Sequence, residues 1–128
     1  MAKEKSKILI VEDDKYYRRA YKDGLEDAGF SVTLANDGKD GLEKAKSEHP
    51  DLILLDLIMP IEGGFDVLAE VKTDDALKDI PIVILSNLGQ DSDVEKTKAL
   101  GAVDYLIKSD VTMKEVLTKV KFYLAKKK

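Results

Sequence analysis

Leu52-Ile53-Leu54-Leu55-Asp56-Leu57-Ile58-Met59-Pro60 is the stretch that decides the fold. Four apolar residues without alternation are the pattern of a strand buried on both faces, inside a parallel sheet covered by helices. An acid ends the run, and a proline stands four residues beyond it. A carboxylate in mid-strand would be badly desolvated. At the strand's carboxyl end it faces the crevice where open α/β sheets bind ligands. Asp56 is therefore either a structural acid or the centre of a site.

The segments before this strand alternate in type. KILIV at 7–11 predicts a strand, succeeded at once by Glu12-Asp13-Asp14. Asp13 or Asp14 can cap a helix starting near Lys15. Its core stripe would be Tyr17, Ala20, Tyr21, Gly24, Leu25 and Ala28, with Gly29 as terminator. SVTLA at 31–35 alternates and is β-branched, hence a second strand. Asn36-Asp37-Gly38 opens a helix to about Glu48 with Gly41, Leu42 and Ala45 inward, and His49-Pro50-Asp51 breaks it. The quoted strand, 52–56, is third.

The second half repeats the alternation. Gly63-Gly64 predicts a flexible loop. Residues 65–72 predict a helix burying Phe65, Leu68 and Val71, and the polar stretch 73–79 a surface loop. IPIVILS at 80–86 is a fourth strand, with Pro81 near its start. Residues 87–90, with Gly89, form a loop. Asp91 or Ser92 caps a helix through Leu100, and Gly101 ends it. VDYLI at 103–107 is the fifth strand, ending at Lys108. The last helix spans 111–124 with Met113, Val116, Leu117, Val120 and Leu124 on one face. Five strands alternating with five helices predict an α/β fold: a doubly wound parallel sheet with right-handed crossovers.

Composition narrows the class. The chain has 128 residues, of which 44% are hydrophobic and 36% charged, enough for one core and too few for two. One domain over 1–128 is expected. No apolar run approaches the ~20 residues a membrane span needs. With no cysteine there is no disulfide, zinc-thiolate site or thiol nucleophile. A cytoplasmic location is expected, without membrane association. The net charge of −4 argues against direct nucleic-acid binding, and the Lys126-Lys127-Lys128 tail reads as solvated.

In a parallel sheet all the strand ends lie on one edge. Glu12-Asp13, Asp56, Ser86 and Lys108 would then share a crevice. Clustered carboxylates cannot all stay ionised without a cation. One lysine supplies a single charge, and oxygen ligands of this kind suit Mg²⁺. A carboxylate can attack phosphorus. The transferring phosphoryl group carries its charge on equatorial oxygens, which a metal, an ammonium and a hydroxyl can share.

The chain resembles the receiver domain of two-component response regulators, in particular the stand-alone chemotaxis-regulator type. The resemblance rests on ILIVED at 8–13, LLDLIMP at 54–60, LSN at 85–87 and GAVDYLIK at 101–108. It implies a flavodoxin-like (βα)5 sheet of strand order 2-1-3-4-5. It implies that Asp56 accepts a phosphoryl group from a histidine kinase or phosphotransfer protein. It further implies that Asp13, Asp56 and the Ile58 carbonyl bind Mg²⁺, with Glu12 acting through a water. Lys108 would contact the phosphoryl group. The Ser86 hydroxyl would move toward the phosphate and Tyr105 would turn inward behind it. The readout surface would be the face of the fourth helix, fifth strand and fifth helix, acting on a protein target. Such a switch phosphorylates and dephosphorylates itself but is not an enzyme, and a single-domain monomer is expected.

Two departures stand out. The family usually has proline after the lysine, in a cis peptide; here Ser109 takes that place after Lys108, and the bond is expected either to stay cis or to relax to trans. Asn87 replaces a small residue after the hydroxyl position, which would alter access to the phosphoryl group and its lifetime. A phosphohydrolase of the haloacid-dehalogenase type is the rival enzyme, but its second acid would fall at Ile58. A phosphate-independent interaction module is a third reading. His49, the single histidine, reads as a loop residue, and Tyr16, Tyr17 and Tyr21 as packing and surface. Phe122 and Tyr123 cannot both face the core.

Overall fold

The computed structural model describes residues 5–59, 63–88 and 90–126. Pro60, Gly89, Lys127, Lys128 and the first four residues, on all of which the sequence raises expectations, lie outside them. The elements run β1 (Lys7–Val11), α1 (Lys15–Asp27), β2 (Ser31–Ala35), α2 (Gly38–Glu48), β3 (Leu52–Leu55), α3 (Gly64–Thr73), β4 (Ile82–Ser86), α4 (Asp91–Ala99), β5 (Asp104–Ile107) and α5 (Met113–Lys126). All strand pairs are parallel, in the order β2-β1-β3-β4-β5.

The unbroken apolar runs arise from a core on each face. Successive strand residues point to opposite sides. Leu9, Ile53, Leu55, Ile82 and Ile84 pack with Ala45 of α2 and Val67, Leu68 and Val71 of α3. Their neighbours Ile8, Ile10, Leu52, Leu54 and Val83 pack with Tyr21 and Leu25 of α1 and Val116 and Val120 of α5.

Local chemistry sets the ends. Asp14 caps α1, its Oδ1 accepting from the N–H groups of Tyr16 and Tyr17 at 2.8 and 3.2 Å. Gly29 and Gly101 come after α1 and α4 at φ +97° and +109°, where an L side chain is strained. His49 caps the carboxyl end of α2 in the left-handed region and is exposed.

Several expectations are corrected. Ala20 is exposed, because the apolar face of α1 is narrower than the stripe implied, and Ala28 is exposed as the C-cap beyond the helix. Gly24 is inward for a steric reason: a Cβ there would sit 2.6 Å from the sulfur of Met113. β3 ends at Leu55, one residue before Asp56. β4 starts at Ile82, after Pro81, whose carbonyl still accepts from the Ile53 N–H at 3.0 Å. β5 starts at Asp104, one residue after Val103. The loop after α3 is not only surface: Leu77 is buried, and the Lys72 ammonium holds the carbonyls of Lys78 and Ile80 at 2.9 and 2.6 Å. Neither Asp91 nor Ser92 caps α4; the N-cap is Gln90, with no side-chain cap bond, and Asp91 and Asp93 lie in the first turn. α4 ends at Ala99, with Leu100 as its C-cap.

α5 begins at Met113 rather than 111, behind a capping box. Thr112 Oγ1 accepts from the Glu115 N–H at 3.1 Å, and Glu115 Oε1 accepts from the Thr112 N–H at 3.2 Å. Thr112→Ala is expected to cost about 1 kcal/mol, read as a lower denaturant midpoint at unchanged m. Tyr123 faces Val103 and Asp104 through its hydroxyl, while Phe122 is 50% exposed.

Candidate functional site

Backbone bonding runs one residue beyond β1, β3 and β5 and so aims the side chains at these strand ends. The Glu12 N–H donates to Ala35 O, the Asp56 N–H to Val11 O and the Lys108 N–H to Ser86 O, each at 3.0 Å. Each of the three segments is thereby fixed to its neighbouring strand at the carboxyl edge, with β4 between the Asp56 and Lys108 segments. Their side chains converge although Glu12, Asp56 and Lys108 are only 2, 5 and 8% exposed. With Asp13, Asp14, Tyr17, Ile58 and Asn87 they line a cavity of about 250 Å³.

Lys108 is the hub. Its ammonium lies 3.0 Å from Asp56 Oδ2 and forms an ion pair with Glu12 Oε1. It also stands 4.5 Å from the centre of the Tyr17 ring. Asp56 Oδ1 accepts from the Ile58 N–H at 3.3 Å, and Glu12 Oε2 from the Asp14 N–H at 3.1 Å. Asp13 is exposed at the rim. Glu12, Asp13 and Asp56 each offer an oxygen within 4.8 Å of the others. Three hard oxygen donors this close together can hold a divalent cation.

Burial pushes the Glu12 carboxyl up to about 7, with Asp56 adding to the rise and Lys108 and the Asp14 N–H opposing it. Burial pulls Lys108 down, but its bonds to Glu12 and Asp56 outweigh this and leave it above the ordinary lysine value. An acid raised from 4.5 to about 7 keeps its proton longer in the folded chain than in the unfolded one. Its contribution to stability is full below the unfolded value and is lost as pH rises through the folded one. With divalent metal chelated, stability is therefore expected to fall between pH 4.5 and 7 relative to Glu12→Gln, read by urea midpoints. A constant difference between the two proteins across that window contradicts it.

Ser86 and Tyr105 sit beside the cavity, not in it. Ser86 is wholly buried, and its Oγ accepts from the Leu88 N–H at 3.3 Å. The Tyr105 hydroxyl donates to the carbonyl of the same Leu88. Both side chains thus hold one residue of the β4–α4 loop. Burial, with the charges of Asp93 and Asp56, pushes the Tyr105 hydroxyl up to about 12. Tyr105 also lines a second cavity of about 260 Å³ with α4 residues Val94, Thr97 and Lys98.

Three contributions to the site are not legible in the sequence. Tyr17 forms a wall over Lys108. Arg18 Nη1 donates to the carbonyls of Glu12 and Asp13 at 3.0 and 3.1 Å, bracing the acid loop. Asn87 Oδ1 accepts from the Ser109 N–H at 3.0 Å. The first two carry no spacing signal. The third pairs the two positions that depart from the family pattern. The described residues contain no cis peptide, so the bond before Ser109 is trans.

Fold and site together define a doubly wound α/β protein with a carboxylate–lysine centre at its topological switch point. The response regulator receiver domain family matches residues 8–121, and the chain belongs to it. Phosphorylation-dependent switching in two-component systems is that family's general function. The chain is 38% identical over 105 residues to a probable transcriptional regulator, ycf27, of Porphyridium aerugineum, covering 82% of this chain and 42% of the relative. It is 38% identical over 118 residues to the transcriptional regulator RpaA of Synechocystis, covering 92% and 48%. The chain thus spans somewhat under half of these relatives. The structure of the chemotaxis protein CheY4 of Vibrio cholerae superposes with a TM-score of 0.86 at 30% identity, covering 92% of this chain and 98% of that one. A Mn²⁺-bound form of the response regulator Rcp1 superposes with a TM-score of 0.83 at 32% identity, covering 93% and 94%. Among the described residues no helix is long and apolar enough to cross a membrane.

Proposed function

We propose that this chain is a Mg²⁺-dependent phosphoryl switch, a single receiver domain in which Asp56 accepts the group. The observation that carries the reading is the ammonium of Lys108, 3.0 Å from Asp56 Oδ2 among three acids. An Asp56 carboxylate oxygen attacks phosphorus, the P–N bond of a phosphohistidine breaks, and the imidazole leaves. Lys108 exchanges its carboxylate contact for a phosphoryl oxygen and offsets the new charge. The donor set Glu12, Asp13, Asp56 and the Ile58 carbonyl suits Mg²⁺, which would neutralise phosphoryl charge when bound. The Mn²⁺ held by the Rcp1 relative supports a divalent ion of this class.

Readout runs through Leu88. A Ser86 hydroxyl drawn to the phosphoryl group gives up the Leu88 N–H, and Tyr105 holds the same residue's carbonyl. The face of α4, β5 and α5 then changes for a protein target. The donor is a sensor histidine kinase or phosphotransfer protein. The chain acts in the cytoplasm as a monomer, without direct contact to nucleic acid or membrane. It phosphorylates and dephosphorylates itself but turns over no external ester, since Ile58 stands where a phosphohydrolase needs its second acid. Incubation with acetyl phosphate and Mg²⁺, and then mass spectrometry, tests this. One phosphoryl group per chain, on Asp56, is the expected result. Catalytic release of phosphate from external esters, or no label at all, overturns it.

A further inference from the structure

We propose that Asn87 and Ser109 form a bridge that slows loss of the phosphoryl group from Asp56. The inference rests on the reading of Asp56 as acceptor. β4 and β5 are paired as far as Ser86 and Ile107, and the Lys108 N–H adds a bond to Ser86 O at 3.0 Å. Past Ile107 the chain turns, the Asp110 N–H closing on Ile107 O at 3.0 Å, and within that turn the Ser109 N–H donates to the Asn87 side-chain carbonyl, also at 3.0 Å. The bridge therefore ties the loop after β4 to the turn after β5, just past the two residues proposed to contact the phosphoryl group. It needs both partners: proline at 109 has no N–H to give, and a small apolar residue at 87 has no carbonyl to take it. The two departures from the family pattern are thus one feature.

Asn87 also lines the cavity that holds Asp56 and Lys108. Fixed by Ser109, it is a standing wall on the side where β4 and β5 end. Hydrolysis needs a water whose oxygen bonds to phosphorus while the P–O bond to Asp56 breaks. The electron pair returns to the carboxylate, and the water's proton leaves with phosphate or solvent. A wall that opens less often admits that water less often. Asn87 is a positioning residue in this account. Both bridge residues are exposed, so the effect is on rate rather than on stability.

The test measures decay of label on Asp56 after removal of the phosphodonor. Asn87→Ala and Ser109→Pro are each expected to speed decay roughly fivefold, about the worth of one hydrogen bond. Ser109→Ala keeps the N–H and is expected to match the unaltered protein. The double variant Asn87→Ala with Ser109→Pro is expected to decay no faster than either single, since both remove the same contact. Amide exchange at Ser109 gives a readout that needs no phosphorylation: it should quicken in Asn87→Ala while thermal stability holds. Unchanged decay in Asn87→Ala, or effects that multiply in the double variant, overturns the bridge. Absence of label in the unaltered protein overturns the acceptor reading and the bridge with it.

Discussion

Asp56→Asn is expected to abolish labelling by acetyl phosphate, at least about a hundredfold below the unaltered protein. The carboxamide has the carboxylate's shape but neither its charge nor its nucleophilic oxygen. The fold should survive. Lys108 keeps Glu12 as an ion-pair partner, and the repulsion between Glu12 and Asp56 disappears. Stability is therefore expected to change by less than about 1 kcal/mol. The Glu12 carboxyl, no longer raised by Asp56, should also titrate lower, which shrinks the fall in stability with rising pH that Glu12 causes. Label that persists on another acid, with Asp13 the nearest exposed candidate, would show that the rim and not Asp56 itself is the acceptor. Loss of label together with unfolding would say that Asp56 is there to neutralise Lys108. The measurement pairs mass with a urea midpoint for that reason.

How a feature is held decides whether the amino-acid sequence reveals or hides it. Strands β1 and β2 were legible to the residue because KILIV is an apolar run stopped by Glu12-Asp13-Asp14 and SVTLA an alternating, β-branched segment stopped by Asn36-Asp37-Gly38. The convergence of Glu12, Asp56 and Lys108 was legible because parallel topology sends every strand end to one edge. The α4 start was not. Asp91 and Ser92 look like caps, yet the cap position falls to Gln90, and the acids lie in the first turn, where the helix dipole favours them. Leu77 in a polar stretch was hidden because Lys72 reaches over from α3 to satisfy the turn's carbonyls. Arg18 and Tyr17 reach the site from α1 by virtue of length and helix phase. No local pattern distinguishes an arginine that braces a loop from one in solvent. Asn87 and Ser109 were each visible as oddities. Only the register of β4 against β5 makes them partners.

Gly64→Ala is the second large effect, and it separates two reasons for a glycine pair. Gly63-Gly64 reads as a flexible loop, but the two positions differ in space. A Cβ on Gly64 would overlap the Asp56 carbonyl oxygen and lie 2.7 Å from Leu57 Cα and 3.0 Å from the Asp56 carbonyl carbon. These are backbone atoms at the end of β3 and cannot rotate aside. α3 starts at this point, with the Gly64 N–H donating to Leu57 O at 3.2 Å. A methyl group must therefore push the helix start away from β3 or move Asp56 itself. The expected cost is about 2–4 kcal/mol, in the range of overpacked cores and strained backbone. Labelling of Asp56 should slow by at least about tenfold, because displacements near 1 Å at a reacting group have effects of that order or larger. Gly63→Ala is the control. Its Cβ would meet Leu57 O at an ordinary 3.7 Å and its φ is −73°, so alanine fits and stability should change by less than about 0.5 kcal/mol. If flexibility were the reason for the pair, both variants would lose activity alike with little cost in stability. If close packing is the reason, the loss falls on Gly64 alone, and the helix α3 is a prop that fixes where the Asp56 carboxylate stands.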